Sequence, residues 1–214
     1  MGKSIRHMIA SPNPRSVSQK IVAAEIPNVL IHEIIDGKPY YLKGYRDVLG
    51  KTKSVEDIMG SSSLQAFLIT YLTIWIGKQI DETKFHILTN EAGLHLDKKN
   101  NLAGDLMIFD SNKLTIDKIN KNYASVPPKI SIEVDIGIAL EGVTEFSYMS
   151  LKTQKLLDFG VEKVIWFLTE SKKAIIATKD NDWLTINWNQ DIEILDGVVC
   201  NVGKYLKDKG SEFA

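Results

Sequence analysis

Apolar positions recur along the chain at two periods, and the changes between them mark out the elements. Asn28 to Ile35 is rich in β-branched and aliphatic residues and predicts a strand. Asp36-Gly37-Lys38-Pro39 follows as a turn, and Tyr40 to Gly44 reads as the return strand of a hairpin. From Ser54, an N-cap with Asp57 three residues on, the spacing turns helical. Ile58, Leu64, Phe67, Leu68, Tyr71, Leu72 and Trp75 predict a long, mostly buried helix, interrupted near Gly60. Ser61-Ser62-Ser63 reads as a bend ahead of it. Three strand-like runs follow, Lys84 to Thr89, Gly93 to Leu96 and Ala103 to Phe109, with a turn at Asp97 to Asn101 between the last two. After a weakly patterned stretch ending at Pro127-Pro128, Lys129 to Asp135 predicts a strand. Glu145 to Phe159 predicts a helix stopped by Gly160. Strands are then predicted at Val161 to Leu168, Ala174 to Thr178, Trp183 to Trp188 and Ile192 to Ile194, with a short closing helix around Lys204.

At 214 residues the chain has the length for one well-filled core, and no repeat or low-complexity linker divides it. One domain is expected over 1–214, with a loose arm over about 1–27 and the core over 28–209. His7-Met8 and Gly210-Ser211-Glu212-Phe213 look like residues left by cloning sites, so 210–214 and the first few residues are set aside. The net charge is −1, which denies the chain a general attraction to phosphate; nucleic-acid binding would need a local patch. A single cysteine, Cys200, rules out an internal disulfide and suits a reducing compartment. No apolar run reaches the roughly 18–20 residues of a membrane span, and the N-terminus lacks the order of a secretion signal. A cytoplasmic protein with no membrane partner is expected.

The candidate chemistry lies between Glu91 and Lys152. In the strand Lys129 to Asp135, Ile130, Ile132 and Val134 share the core face, while Ser131, Glu133 and Asp135 share the other. In Ala103 to Phe109, Leu106 and Ile108 share one face and Asp105, Met107 and Phe109 the other, so Asp105 sits on a strand apolar on both sides. Carboxylates gathered on one sheet surface repel unless paired or bound to a hard cation such as Mg²⁺. The plainer alternative stays open: Asp105 caps a turn, and Glu133 and Asp135 form ion pairs with Lys129 or Lys155. On the helix Glu145 to Phe159 the apolar stripe is Phe146, Met149, Leu156 and Leu157. Lys152 falls at its margin, placed either to snorkel to solvent or to reach the acids.

At these residues the chain resembles the Uma-two family of candidate restriction endonucleases, within the PD-(D/E)xK nuclease superfamily. The resemblance is carried by Asp105, by Ile132-Glu133-Val134, by Lys152-Thr-Gln-Lys-Leu-Leu-Asp-Phe-Gly-Val161, and by Val164-Ile165-Trp166-Phe167. The segment Ile31-His-Glu33-Ile-Ile-Asp36-Gly37 is similar to the family's opening hairpin. The resemblance implies an α/β restriction-endonuclease-like core: a mixed central β-sheet flanked by helices, with the N-terminal hairpin and long helix as an added layer. It implies Asp105 and Glu133 as ligands of a divalent metal, Lys152 as the catalytic lysine, and Glu91 as a further acid; with Mg²⁺ or Mn²⁺ as the ion, Asp135 or Glu91 is expected to complete the metal shell. Two positions depart from the pattern. Gly104 replaces Pro before Asp105, and Asp135 replaces the strand lysine two residues after Glu133, so catalysis would rest on Lys152 from the helix.

Rival chemistries lack their residues. There is no His-x-x-x-His or Cys-rich zinc spacing, no phosphate loop, no dinucleotide fingerprint and no Gly-x-Ser-x-Gly elbow. His32, His86 and His95 read as structural. Trp183 and Trp188, five apart, fall on opposite strand faces and make no joint stacking platform. The expected function is a metal-dependent endonuclease acting on DNA, with Lys98, Lys99 and Lys129 offered to the nucleic acid, Lys113, Lys118 and Lys121 flanking the site in sequence as further parts of a basic rim, and a homodimer formed through the long apolar helix. The alternative is a catalytically silent nuclease-fold protein used for binding or assembly.

Overall fold

The computed structural model describes residues 26–214; the expected N-terminal arm lies almost wholly outside them. Among the described residues the chain runs β1 (Ile31–Ile35), β2 (Lys38–Tyr41), α1 (Tyr45–Leu49), α2 (Ser63–Gly77), β3 (Phe85–Asp97), β4 (Asn100–Asp110), β5 (Ile130–Val134), α3 (Glu145–Phe159), β6 (Lys163–Leu168), β7 (Lys173–Thr178), β8 (Leu184–Asn187), β9 (Ile192–Leu195), β10 (Val198–Cys200) and α4 (Val202–Asp208). Strands β1 to β8 form one sheet and β9–β10 a separate hairpin. The sheet is antiparallel except at β5–β6, which pair parallel because α3 carries the chain back across the sheet. This is a mixed α/β fold with a central sheet flanked by helices, as the sequence predicts, but the hairpin β1–β2 is part of that sheet through its pairing with β4, rather than a layer added to it beside α2.

Two apolar clusters lie on the two faces of the sheet. One takes Leu106, Ile108, Ile130, Ile132 and Val134 with Leu68, Leu72 and Ile76 of α2 and Leu206 of α4. The other takes Met107, Phe109, Val164 and Trp166 with Tyr148, Met149, Leu156 and Leu157 of α3. The alternation read along β4 and β5 therefore assigns those strand faces correctly. Two details on the helices differ. Helix α2 starts at Ser63, with the Ser62 side chain accepting from Gln65 N, whereas Ser54 and Asp57 close a separate turn. Its buried side is Leu68, Tyr71, Leu72 and Ile76, which leaves Phe67, Ile74 and Trp75 exposed. On α3 Phe146 is also exposed, and Tyr148 takes its place against the sheet.

The sheet has one irregularity that matters. Strand β3 runs along one edge of β4. The other edge of β4 is shared: β1 pairs at Asn101, and β5 pairs from Leu106 to Ile108. Between them, at residues 102–105, that edge has no strand partner. Opposite the same stretch β3 bulges, because Thr89 pairs with Leu106 and Ala92 with Gly104, which sets Asn90 and Glu91 against the single residue Asp105. The sequence reads this region as two strands; it is one strand broken by the bulge.

Candidate functional site

The bare edge of β4 leaves backbone groups that must find partners elsewhere. Side chains supply them. Ala103 N donates to Glu33 Oε1 at 3.0 Å, and Ala103 O accepts from Lys152 Nζ at 2.7 Å. Across the gap Val134 N donates to Asp105 Oδ2 at 2.7 Å, so the aspartate does the work of a ladder carbonyl where β4 and β5 part. Gln65 of α2 lies 3.5 Å from Asp105 Oδ1.

Lys152 enters from α3 and is fully buried rather than marginal, only 2% exposed. Its ammonium meets three acceptors: Ala103 O, Glu33 Oε1 at 2.7 Å and Glu133 Oε2 at 3.0 Å. A lysine has three protons to give, so this set is complete. Glu133 Oε1 accepts from Ser131 Oγ at 3.0 Å, and Glu33 Oε2 from Tyr148 Oη at 2.6 Å. Asp105, Glu133 and Lys152 line one small cavity of about 30 Å³, together with His32, Gln65 and Glu91. A water molecule needs roughly 10–15 Å³ by the same measure, so the cavity has room for an ion-sized guest.

The other acids reach the cavity differently. Strand β5 ends at Val134, one residue short of the predicted end, so Asp135 does not share a strand face with Glu133. It turns left-handed, with φ 62°, and its carboxylate accepts from Thr169 N and Thr169 Oγ1, both at 2.7 Å. It walls the cavity while holding the turn after β6. Glu91 stands in the bulge beside Asp105, with Asn90 at φ 65° and Glu91 itself at φ 54°. Two successive non-glycine residues in that region cost about 1–3 kcal/mol each, which the surrounding pairing must impose. Glu91 and Asp105 also line a wider groove of about 610 Å³ that opens toward Ala66, Ile69 and Thr70 of α2.

The expected nucleic-acid lysines lie apart from this cavity. Lys98 and Lys99 are in the exposed β3–β4 turn, and Lys129 pairs with Glu162 at 2.6 Å at the far end of β5. Four strand residues separate Lys129 from Glu133, roughly 13 Å. Lys155 pairs with Asp36 at 2.5 Å, so neither lysine forms the ion pair that the plainer alternative required. Glu33, Tyr148 and Gln65 went unrecognised as site residues. Glu33 had a signal, as the one acid in the apolar run Ile31 to Ile35, and Tyr148 stands one helical turn before Lys152. Gln65 had none.

Electrostatics separate the three acids. Burial pushes the Glu33 carboxyl up, but the Lys152 ammonium, His32 and the Tyr148 hydroxyl outweigh it, and the net shift is down. Burial pushes Glu133 up to about 8; Lys152 offsets part of this, while Asp105 and Glu33 add to it. Asp105 is also raised, by burial first and by Glu91, against the Val134 N–H and Lys152. Lys152 is held charged well above its usual range by Glu133, Glu33 and Tyr148, which overcome the effect of its burial. Lys152 thus holds Glu33 ionised while Asp105 and Glu133 keep their protons more tightly than ordinary carboxyls, and an added cation would favour the charged form of both. Among the described residues no group of three or more His, Cys, Asp or Glu side chains is arranged to hold a metal.

The fold defines a mixed α/β protein whose cavity opens where the central sheet lacks a strand pairing. The structure is similar to that of a protein from Anabaena variabilis described as a candidate nuclease of the DUF820 family, with a TM-score of 0.56 and 9% identity over 78% of this chain and 82% of that chain. At that identity the likeness is one of fold. No protein-family model and no curated protein matches the sequence. Among the described residues no helix is long and apolar enough to cross a membrane.

Proposed function

We propose that this protein hydrolyses phosphodiester bonds in DNA, using Mg²⁺ or Mn²⁺ held by Asp105 and Glu133. The observation that carries the reading is the convergence of two buried carboxylates of raised proton affinity on one cavity, within a fold similar to that of a candidate nuclease. The ion, when bound, would supply Lewis acidity and an activated water. Asp105 lines the cavity while Val134 N anchors its Oδ2. Glu91, presented by the bulge, completes the acidic rim, and Asp135 shapes the wall through Thr169. Lys152 orients Glu133 and fixes the Ala103 carbonyl; to serve the reacting phosphate as the catalytic lysine it must open one of its three bonds. A homodimer through the exposed, uncharged side of α2 belongs to the same reading.

One observation favours a second reading, a catalytically silent fold used in nucleic-acid binding or assembly. The Lys152–Glu33–Glu133–Tyr148 network is closed, and no buried side-chain polar atom among the described residues lacks a partner. Calorimetric titration of Mn²⁺ into wild type and Asp105→Ala, with plasmid cleavage on the same samples, separates the two. Saturable binding and cleavage, both lost in the variant, are the expected result. Wild type that binds no Mn²⁺ would overturn the metal nuclease in favour of the silent fold.

A further inference from the structure

The connection between β4 and β5, residues 111–129, is far longer than the usual handful of residues. It carries Lys113, Lys118, Lys121 and Lys129 against one acid, Asp117. Its later part is fixed to the sheet. Ala124 N donates to Gly93 O at 2.9 Å and His95 N donates to Ala124 O at 2.8 Å, which seats the segment on the outer edge of β3. Tyr123 is thereby laid over Gly93. A Cβ at Gly93 would stand 2.5 to 2.6 Å from Cγ, Cδ1 and Cε1 of the tyrosine ring. Three neighbouring ring atoms at one nearly equal distance mean that the ring turns its face, not its edge, to the strand. Tyr123 is nevertheless 58% exposed, so the opposite face looks to solvent. A tyrosine filling a core gap would be covered on both faces.

The position relates this ring to the cavity. Gly93 pairs with Ala103 across β3–β4, and Ala103 O is the carbonyl that holds Lys152. The Tyr123 segment and Ala103 are thus two strand spacings apart, roughly 10 Å. Lys118 and Lys121 are exposed, and Lys118 Nζ donates one of its protons to Lys113 O at 3.0 Å. Ile116 and Ile119 add exposed apolar surface to the same loop.

We propose that Tyr123 is a stacking platform for an unpaired nucleobase, with Lys118 and Lys121 neutralising phosphates of the same strand. The ligand class is single-stranded nucleic acid, because stacking on a protein ring needs a base with a free face and a duplex occupies both. This assignment rests on the nucleic-acid reading above and narrows it: a strand held at Tyr123 places its backbone within about two nucleotides of the acidic cavity. Lys98, Lys99 and Lys129 have no part in it.

The test is fluorescence anisotropy in EDTA with a labelled oligonucleotide of roughly 12 nucleotides and with its blunt duplex. Wild type, Tyr123→Ala, Tyr123→Phe and Lys118→Gln/Lys121→Gln are compared, each checked for folding by circular dichroism. Wild type should prefer the single strand. Tyr123→Ala should weaken that binding roughly 5- to 100-fold, and Tyr123→Phe should retain it. The double lysine variant should flatten the log–log salt dependence by about 1.4, near 0.7 per phosphate contact. Equal binding by wild type and Tyr123→Ala, or a preference for duplex, would overturn the platform while leaving a nucleic-acid function standing. Wild type that binds neither oligonucleotide would overturn both.

Discussion

Glu133 is the residue at which the site's conflict of charges becomes measurable. Its carboxyl keeps a proton up to about pH 8 in the fold, against 4.5 in its ordinary state. A carboxyl raised in this way stabilises the folded protein fully below its unfolded value, and that stability is lost as pH rises through the folded value. Between pH 4.5 and 8 the unfolding free energy of the metal-stripped protein should fall by up to about 1.4 kcal/mol per unit, and Glu133→Gln should remove that slope. Glu33, shifted down, acts in a different window: its contribution is present above its unfolded value and fades on acidification below it. Urea unfolding of both proteins across this range is the measurement, and parallel curves would refute the assignment. Of the residues in the cavity, Asp105, Glu133 and Lys152 drew attention from sequence because strand alternation and helical spacing are local rules. The Glu33–Lys152 pair follows from no local rule, since it depends on β1 and α3 meeting across the bare edge of β4.

At the scale of elements, α3 was readable to its ends because Gly160 terminates it with φ 114° and Met149, Leu156 and Leu157 hold their period, although Phe146 does not. Helix α2 was not readable at its start, because Ser54–Asp57 and Ser62–Gln65 both look like caps and only one opens a helix. Ser62→Ala should therefore lower stability by about 1 kcal/mol, whereas Ser54→Ala should change it by a few tenths at most. Thermal unfolding of the two variants decides this, and equal losses would mean that the two turns are coupled. The five-residue α1 lacks the length to show a period. The β3 bulge also left no trace, because Asn90-Glu91 carries no glycine to announce its left-handed backbone. The bulge that presents Glu91 to the site was thus hidden from sequence as well.

For the whole molecule, α2 carries no Asp, Glu, Lys or Arg, yet Phe67 and Ile74 are 42% and 52% exposed. In a two-fold dimer such a face meets its own copy without like-charge repulsion. Sedimentation velocity should show a dimer for wild type and a monomer for Phe67→Glu/Ile74→Glu; a monomeric wild type would remove the dimer from the proposal. The bare edge of β4 has a further consequence, one for the order of assembly. Ala103 N, Ala103 O and Val134 N find their partners on this edge in Glu33, Lys152 and Asp105, groups far apart along the chain. Closing such long loops precedes any gain from the contacts they make, so the cavity takes shape late, after the hairpins and α3 have docked. A nascent chain therefore does not gather these carboxylates in one place before the surrounding sheet has formed.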